Sequence, residues 1–228
     1  CLPTNFLSPH DNQRTDMYGG SLHNRMRFLI ETVRSIQKIA GKDFPISVKL
    51  SMDDREPEGI RLPETIEVCR ALEKEGVVLL NLVIGTHATA VNSSGFWSWG
   101  SAADMAKQIR EQVSIPVMYT GSIQSPEKAE QLIADGCCDF IGTARQVLAD
   151  PFWPKKAKEG KAEDIVPCIR CMIGCTDRGI MGNHPIHCAV NPTLYKFYEE
   201  GYPEAEPPKN VAVVGAGPAG MSAALTAA

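Results

Sequence analysis

Cys168, Cys171, Cys175 and Cys188 carry the most specific chemical signal in the 228 residues. Their spacing, C-x2-C-x3-C-x12-C, gathers three thiolates in one tight loop and adds a distant fourth. That is a way to surround one iron–sulfur cluster. Structural zinc more often uses two paired cysteine knuckles, and disulfides sit poorly with the cytosolic character of the chain. A second constellation closes the sequence. Asn210–Val214 reads as a strand running into Gly215-Ala216-Gly217-Pro218-Ala219-Gly220 and then a small-residue helix. In that context Gly215, Gly217 and Gly220 allow a tight turn and let a pyrophosphate approach the helix N-terminus. An acidic ribose contact is expected about 20 residues further on, beyond Ala228, so these residues leave FAD and NAD(P)H both open.

A third group stands at the ends of apolar runs: Lys49, Asn81, Gly121-Ser122 and Gly142-Thr143-Ala144-Arg145. The runs are Ile46–Leu50, Val77–Ile84, Ile115–Tyr119 and Phe140–Ile141. The first three are near-continuously hydrophobic, as in strands buried on both faces of a parallel sheet. Amphipathic helices lie between them. Ser21 caps one whose Met26, Leu29, Ile30, Val33 and Ile36 share a face. Pro63 and Pro126 suit first-turn positions, the second after Ser125, and Gly136 suits a helix end. Strand starts recur at roughly thirty-residue intervals, the length of one βαβ unit. This rhythm fits a doubly wound sheet or a barrel. Polar and glycine residues on the C-terminal rim are how a (β/α)8 barrel builds an active site, commonly with a phosphate cradle after its last two strands.

Composition sets the outer limits. Net charge is −4 without a long basic run, which argues against nucleic acid as partner. The longest apolar stretch, Gly76–Gly85, is far short of the roughly 20 residues of a membrane helix. Eight cysteines in so long a chain point to a metal centre in a reducing cytoplasm rather than a secreted scaffold. Cys69, Cys137 and Cys138 read as small core residues. Because the chain opens on Cys1 and closes within an alanine-rich helix, a fragment of a longer protein is expected.

Phe6-Leu7-Ser8-Pro9, Asn12-Gln13-Arg14-Thr15-Asp16, Tyr18-Gly19-Gly20-Ser21 and Asn24-Arg25-Met26-Arg27-Phe28 resemble the signature of the old yellow enzyme family. The resemblance is to its iron–sulfur branch, which includes 2,4-dienoyl-CoA reductase and trimethylamine dehydrogenase. It runs in order through Ala144–Pro151. It implies an α/β chain with the C-terminal half of an FMN-binding TIM barrel over residues 1–160. A 4Fe–4S segment over 161–192 follows, then a linker over 193–208. The first βα of a Rossmann-like FAD/NAD(P) domain would occupy 209–228. FMN phosphate would lie near Gly121, Ser122, Ala144 and Arg145, with Lys49 beside the flavin's N1–C2 edge. His87 falls where the reductase has an active-site histidine, and Trp97 and Trp99 are candidate pocket residues. Cys1 falls on the usual proton-donating tyrosine, a departure that puts the donor in question. The implied activity is NAD(P)H-dependent reduction of an activated C=C bond in a small unsaturated carbonyl or thioester. The alternatives are amine oxidation of the trimethylamine dehydrogenase type, or an inactive piece retaining only a cluster-binding segment. Oligomeric state is left open.

Overall fold

A computed structural model describes residues 2–85, 98–194 and 204–228. Its centre is a parallel sheet of β1 (Ser47–Ser51), β2 (Leu79–Val83), β3 (Val117–Tyr119) and β4 (Phe140–Ile141), in that spatial order. Helices α1 (Leu2–Leu7) and α2 (Leu22–Ala40) precede it. The crossovers are α3 (Leu62–Lys74), α4 (Ala103–Arg110) and α5 (Pro126–Ala134), and α6 (Arg145–Ala149) and α7 (Trp153–Lys158) follow. Each strand pairs with the next in sequence, with Lys49 level with Asn81, Asn81 with Met118 and Met118 with Phe140. A doubly wound sheet reverses its strand order at a switch point. The order here runs in one direction, as along the wall of a barrel.

The helix boundaries follow from the capping chemistry. The Ser21 side chain accepts the Asn24 N–H at the start of α2, and Ser125 accepts that of Lys128 at the start of α5. Pro63 and Pro126 occupy first-turn positions, and Gly136 ends α5 with a φ of 72°. The face of the sheet that the helices cover is buried, at Leu50, Leu80, Leu82, Val117 and Tyr119; on the other face Asn81 and Met118 are half-buried and Lys49 and Phe140 exposed. Cys69, Cys137 and Cys138 are buried in the core, as expected.

The N-terminal motifs act as architecture. Asn12 Nδ2 donates to the carbonyls of Phe6 and Tyr18, both at 2.7 Å. Phe6 stacks on Phe28 with ring centres 4.4 Å apart. Buried Arg25 donates to the carbonyls of Leu7 and Gly20 and pairs with Glu64. It ties α1, the turn before α2, and α3 into one unit.

The C-terminal portion differs from its reading in one respect. Asn210–Val214 is not a strand: these residues are exposed, and among the described residues no strand pairs with them. An extended segment without a neighbour satisfies its backbone with water. The glycine turn and helix α8 (Pro218–Ala227) do form.

Candidate functional site

The C-terminal ends of all four strands border one cavity of about 510 Å³. That is within the range of small-molecule and cofactor sites. Lys49 and Ser51 come from β1, Val83, Ile84 and Gly85 from the end of β2, and Thr120, Gly121 and Ser122 from the turn after β3. The turn after β4 adds Gly142, Thr143, Ala144 and Arg145. Lys49, Gly121, Ser122, Ala144 and Arg145 are therefore brought together, as the strand-end pattern predicts.

Two glycines keep the backbone close to this space. A Cβ at Gly121 would stand 2.1 Å from the Tyr119 hydroxyl oxygen, and one at Gly142 would stand 2.0 Å from Thr120 Oγ1. Ser122 adopts a φ of 55°, so the β3 turn bends through the left-handed region. Arg145 Nη2 donates to Ser122 Oγ at 3.5 Å, joining the two turns. Thr120 Oγ1 donates to Asn81 Oδ1 at 2.9 Å and links β3 to β2. Tyr119 is buried beneath, accepting the Ala102 N–H at 3.3 Å, and burial pushes its phenol up to about 12. Small residues, bent backbone and a guanidinium fit a phosphate group. The cavity fits FMN on that ground, with Lys49 as a further cation on its wall.

Cys168, Cys171, Cys175 and Cys188 border a second cavity. Arg170 and Met172 have φ of 55° and 60°, which curl the first loop around its thiols. A Cβ on Gly174 would stand 2.3 Å from the His187 carbonyl oxygen, so only glycine lets the Cys188 strand pass so near. The Arg170 N–H donates to Cys168 Sγ at 3.4 Å. Burial raises the Cys168 thiol above its ordinary value, with Cys188 and Cys175 adding to the rise and the Arg170 N–H and Arg145 opposing it. Among the described residues no three His, Cys, Asp or Glu side chains converge on a single metal ion.

The two cavities share a wall made by Arg145 and Cys168. Residues without a sequence signal build that wall. Buried Gln146 accepts the Cys168 N–H and donates to the Val166 carbonyl, both at 2.9 Å. Gln124, also buried, donates to the Cys168 carbonyl, and its own carbonyl accepts Trp153 Nε1–H at 2.7 Å. Asp150 accepts the Val166 N–H at 3.0 Å and Lys156 Nζ at 2.6 Å. Asn191 Nδ2 donates to the Leu148 carbonyl at 2.8 Å and holds the Cys188 end. Side-chain amides substitute here for backbone pairing, and neither periodicity nor spacing announces them.

Other expected residues stand elsewhere. His87, Trp97 and Cys1 lie outside the described residues. Trp99 faces the Arg170 guanidinium, 5.6 Å from its ring centre, and Arg170 lines the first cavity. In the last segment Gly215 has a φ of 113°, Gly217 is open to its surroundings, and a Cβ on Gly220 would stand 1.9 Å from the Gly215 carbonyl oxygen. The left-handed Gly215 and the close pass of Gly220 are what a tight turn into a helix asks of glycine. No helix among the described residues is long and apolar enough to cross a membrane.

Comparison with known proteins agrees with this geometry. The family model described as NADH:flavin oxidoreductase / NADH oxidase matches residues 1–164. The NADH oxidase of Thermoanaerobacter brockii is 42% identical over 228 residues, covering 98% of this chain and 35% of that protein. The dimethylamine dehydrogenase of Hyphomicrobium sp. is 36% identical over 231 residues, covering 97% of this chain and 31% of that protein. The solved complex of 2-naphthoyl-CoA reductase with 2-naphthoyl-CoA superposes with a TM-score of 0.90 at 33% identity, covering 98% of this chain and 34% of that one. The chain thus spans about a third of the length of these relatives.

Proposed function

Because the chain belongs to the NADH:flavin oxidoreductase / NADH oxidase family, we propose that its protein reduces an activated C=C bond with NAD(P)H, using FMN, a 4Fe–4S cluster and FAD. The substrate is an enoate or an enoyl- or dienoyl-thioester. One hydride and one proton are added, and NAD(P)H is oxidised to NAD(P)⁺. In this reading residues 1–160 are the second half of the FMN barrel and 161–192 the cluster segment. Residues 193–208 are a linker to the nucleotide-binding domain that starts at 209. The observation that carries the reading is the wall of Arg145 and Cys168 common to both cavities. It sets a flavin-sized space beside a four-cysteine space, as electron exchange between two centres requires.

FMN, when bound, supplies hydride to the substrate's β-carbon. Arg145 and Ser122 grip its phosphate, and Gly121 and Gly142 keep the backbone close. Lys49 balances negative charge on the reduced ring as a point charge, without the fork of an arginine. The four cysteine thiolates hold the cluster, and the turn of Gly215, Gly217 and Gly220 receives a pyrophosphate. His87 hydrogen-bonds the substrate carbonyl or moves a proton to the carbon next to it. Cys1, at the family's tyrosine position, is the other candidate donor.

The kinship with dimethylamine dehydrogenase keeps an oxidative reading in view. The likeness to the 2-naphthoyl-CoA reductase complex, with a TM-score of 0.90 over 98% of this chain, favours the reductive one. Anaerobic optical spectra of the full-length protein test the choice. Reduction by NAD(P)H reversed by an enoate or enoyl-CoA supports the proposal. Bleaching by a secondary or tertiary amine, with no response to alkenes, overturns it.

A further inference from the structure

We infer that Gln146 is a positioning residue for the cysteine centre, its side chain holding the Cys168 N–H away from sulfur and locking Cys168 into the wall between the two cavities. The inference rests on the cluster reading above and adds to it a residue that sets the cluster's redox balance. Gln146 is 3% exposed and follows directly on Arg145. Its amide makes two bonds of 2.9 Å, accepting from Cys168 N and donating to Val166 O. The Gln146 backbone is fixed in turn, its carbonyl accepting the Asp150 N–H at 2.8 Å. Consecutive residues of α6 therefore address the two cavities: Arg145 lines both, and Gln146 lines the first while clamping the chain that carries the first cysteine of the second.

The direction of the effect follows from hydrogen-bond bookkeeping. Cluster potentials respond to N–H donors at the sulfurs and to solvent access, because both favour the more negative, reduced form. One donor, the Arg170 N–H, already points at Cys168 Sγ. Gln146 diverts a second, the Cys168 N–H, to its own oxygen. Removing the amide frees that donor and lets water reach the loop, and both changes raise the potential.

The test compares anaerobically purified full-length protein with Gln146→Met, which keeps side-chain length and loses both bonds. Iron, sulfide and FMN are assayed, and the cluster is titrated by EPR with dithionite and mediators. We expect the cluster midpoint to move upward; FMN is assayed because Gln146 also lines the first cavity, and a loss of FMN with an unmoved midpoint would assign Gln146 to that cavity and overturn the inference. A midpoint and iron content equal to wild type overturn the inference, even if the variant melts earlier, since a merely structural residue changes melting alone. Should the variant fail to fold, hydrogen–deuterium exchange of the wild-type holoprotein decides. A protected Cys168 amide supports the clamp, and one exchanging at the rate of an open loop overturns it. Wild-type protein without iron would overturn the cluster reading and the clamp together, whereas an unaltered variant overturns the clamp alone.

Discussion

The backbone at Gly121 passes so near Tyr119 that a Cβ there would stand 2.1 Å from the phenolic oxygen. Tyr119 is 1% exposed and cannot swing away. Gly121→Ala should therefore shift the β3 turn, costing about 1–3 kcal/mol from overpacking. It should also weaken FMN retention, because Gly121 and Ser122 line the same cavity. Thermal melts and bound-flavin absorbance of the full-length variant check both effects. Unchanged flavin content would remove this turn from the phosphate site.

That turn also shows how far the sequence can be read. Gly121, Ser122 and the Gly142–Arg145 step are visible as small residues at strand ends, and the structure gathers them at one cavity. The strand-to-helix rhythm is equally legible, since Ser21, Ser125, Pro63 and Pro126 each perform the local role their chemistry suggests. Gln124, Gln146, Asp150 and Asn191 are not legible. They make contacts to chain 16 to 44 residues away, and long-range polar clamps have no period. The strand at Asn210–Val214 fails for the complementary reason: a valine-rich run encodes a preference for pairing and does not supply the partner.

Arg145, in the turn after β4, bridges to Ser122 in the turn after β3 across the cavity edge. Arg145→Ala should weaken FMN binding by about 10- to 150-fold, the worth of roughly 1.5–3 kcal/mol for bonds to a charged group. Arg145→Lys should recover part of this, because an ammonium keeps the charge and loses the fork. Flavin fluorescence titration of apoprotein measures the affinities. Equal affinity in the alanine variant would place the phosphate elsewhere.

Substitution of any one cluster cysteine should cost the whole centre. Cys171→Ala in full-length protein is expected to lose most of the iron and sulfide, while FMN remains, since Cys171 lines only the second cavity. Stoichiometric zinc in the wild type, persisting after reconstitution with iron and sulfide, would replace the cluster by a structural zinc site.

Acid stability should report on Asp150. Burial pushes its carboxyl upward, but bonds from Lys156 and from the N–H groups of Val166 and Phe152 outweigh this and hold it below the usual carboxylate value. A lowered folded-state value means that the ionised form contributes stability above the unfolded value of about 3.9. That contribution is lost as pH falls through the folded value. Asp150→Asn should cost about 1–3 kcal/mol at neutral pH. It should also flatten the loss of stability below pH of about 4 relative to wild type. Melting curves from pH of about 7 to 3 test it. Parallel curves for the two proteins would mean that the Lys156 pair contributes nothing to acid lability.

Lys49 offers the sharpest separation of binding from chemistry. It stands on β1 level with Asn81, exposed, on the same cavity wall as the phosphate turns but on a different strand. Its charge is thus not needed to grip phosphate, which Arg145 and Ser122 can do without it. In the proposed role it balances charge that appears only on the reduced ring, so it acts on the reaction more than on the oxidised complex. Lys49→Met should leave FMN content near wild type and lower alkene reduction on the order of a hundredfold, the scale of losing one electrostatic stabiliser. Lys49→Arg should retain most of the rate. The flavin midpoint of the methionine variant should fall, because the reduced form loses its counter-charge. Flavin content, steady-state kinetics and a spectroelectrochemical titration separate the outcomes. If Lys49→Met loses FMN and rate together, the lysine belongs to the phosphate site. Should it change neither rate nor midpoint, Lys49 is a solvated strand-end residue, and the cavity's cationic character rests on Arg145 and Arg170 alone.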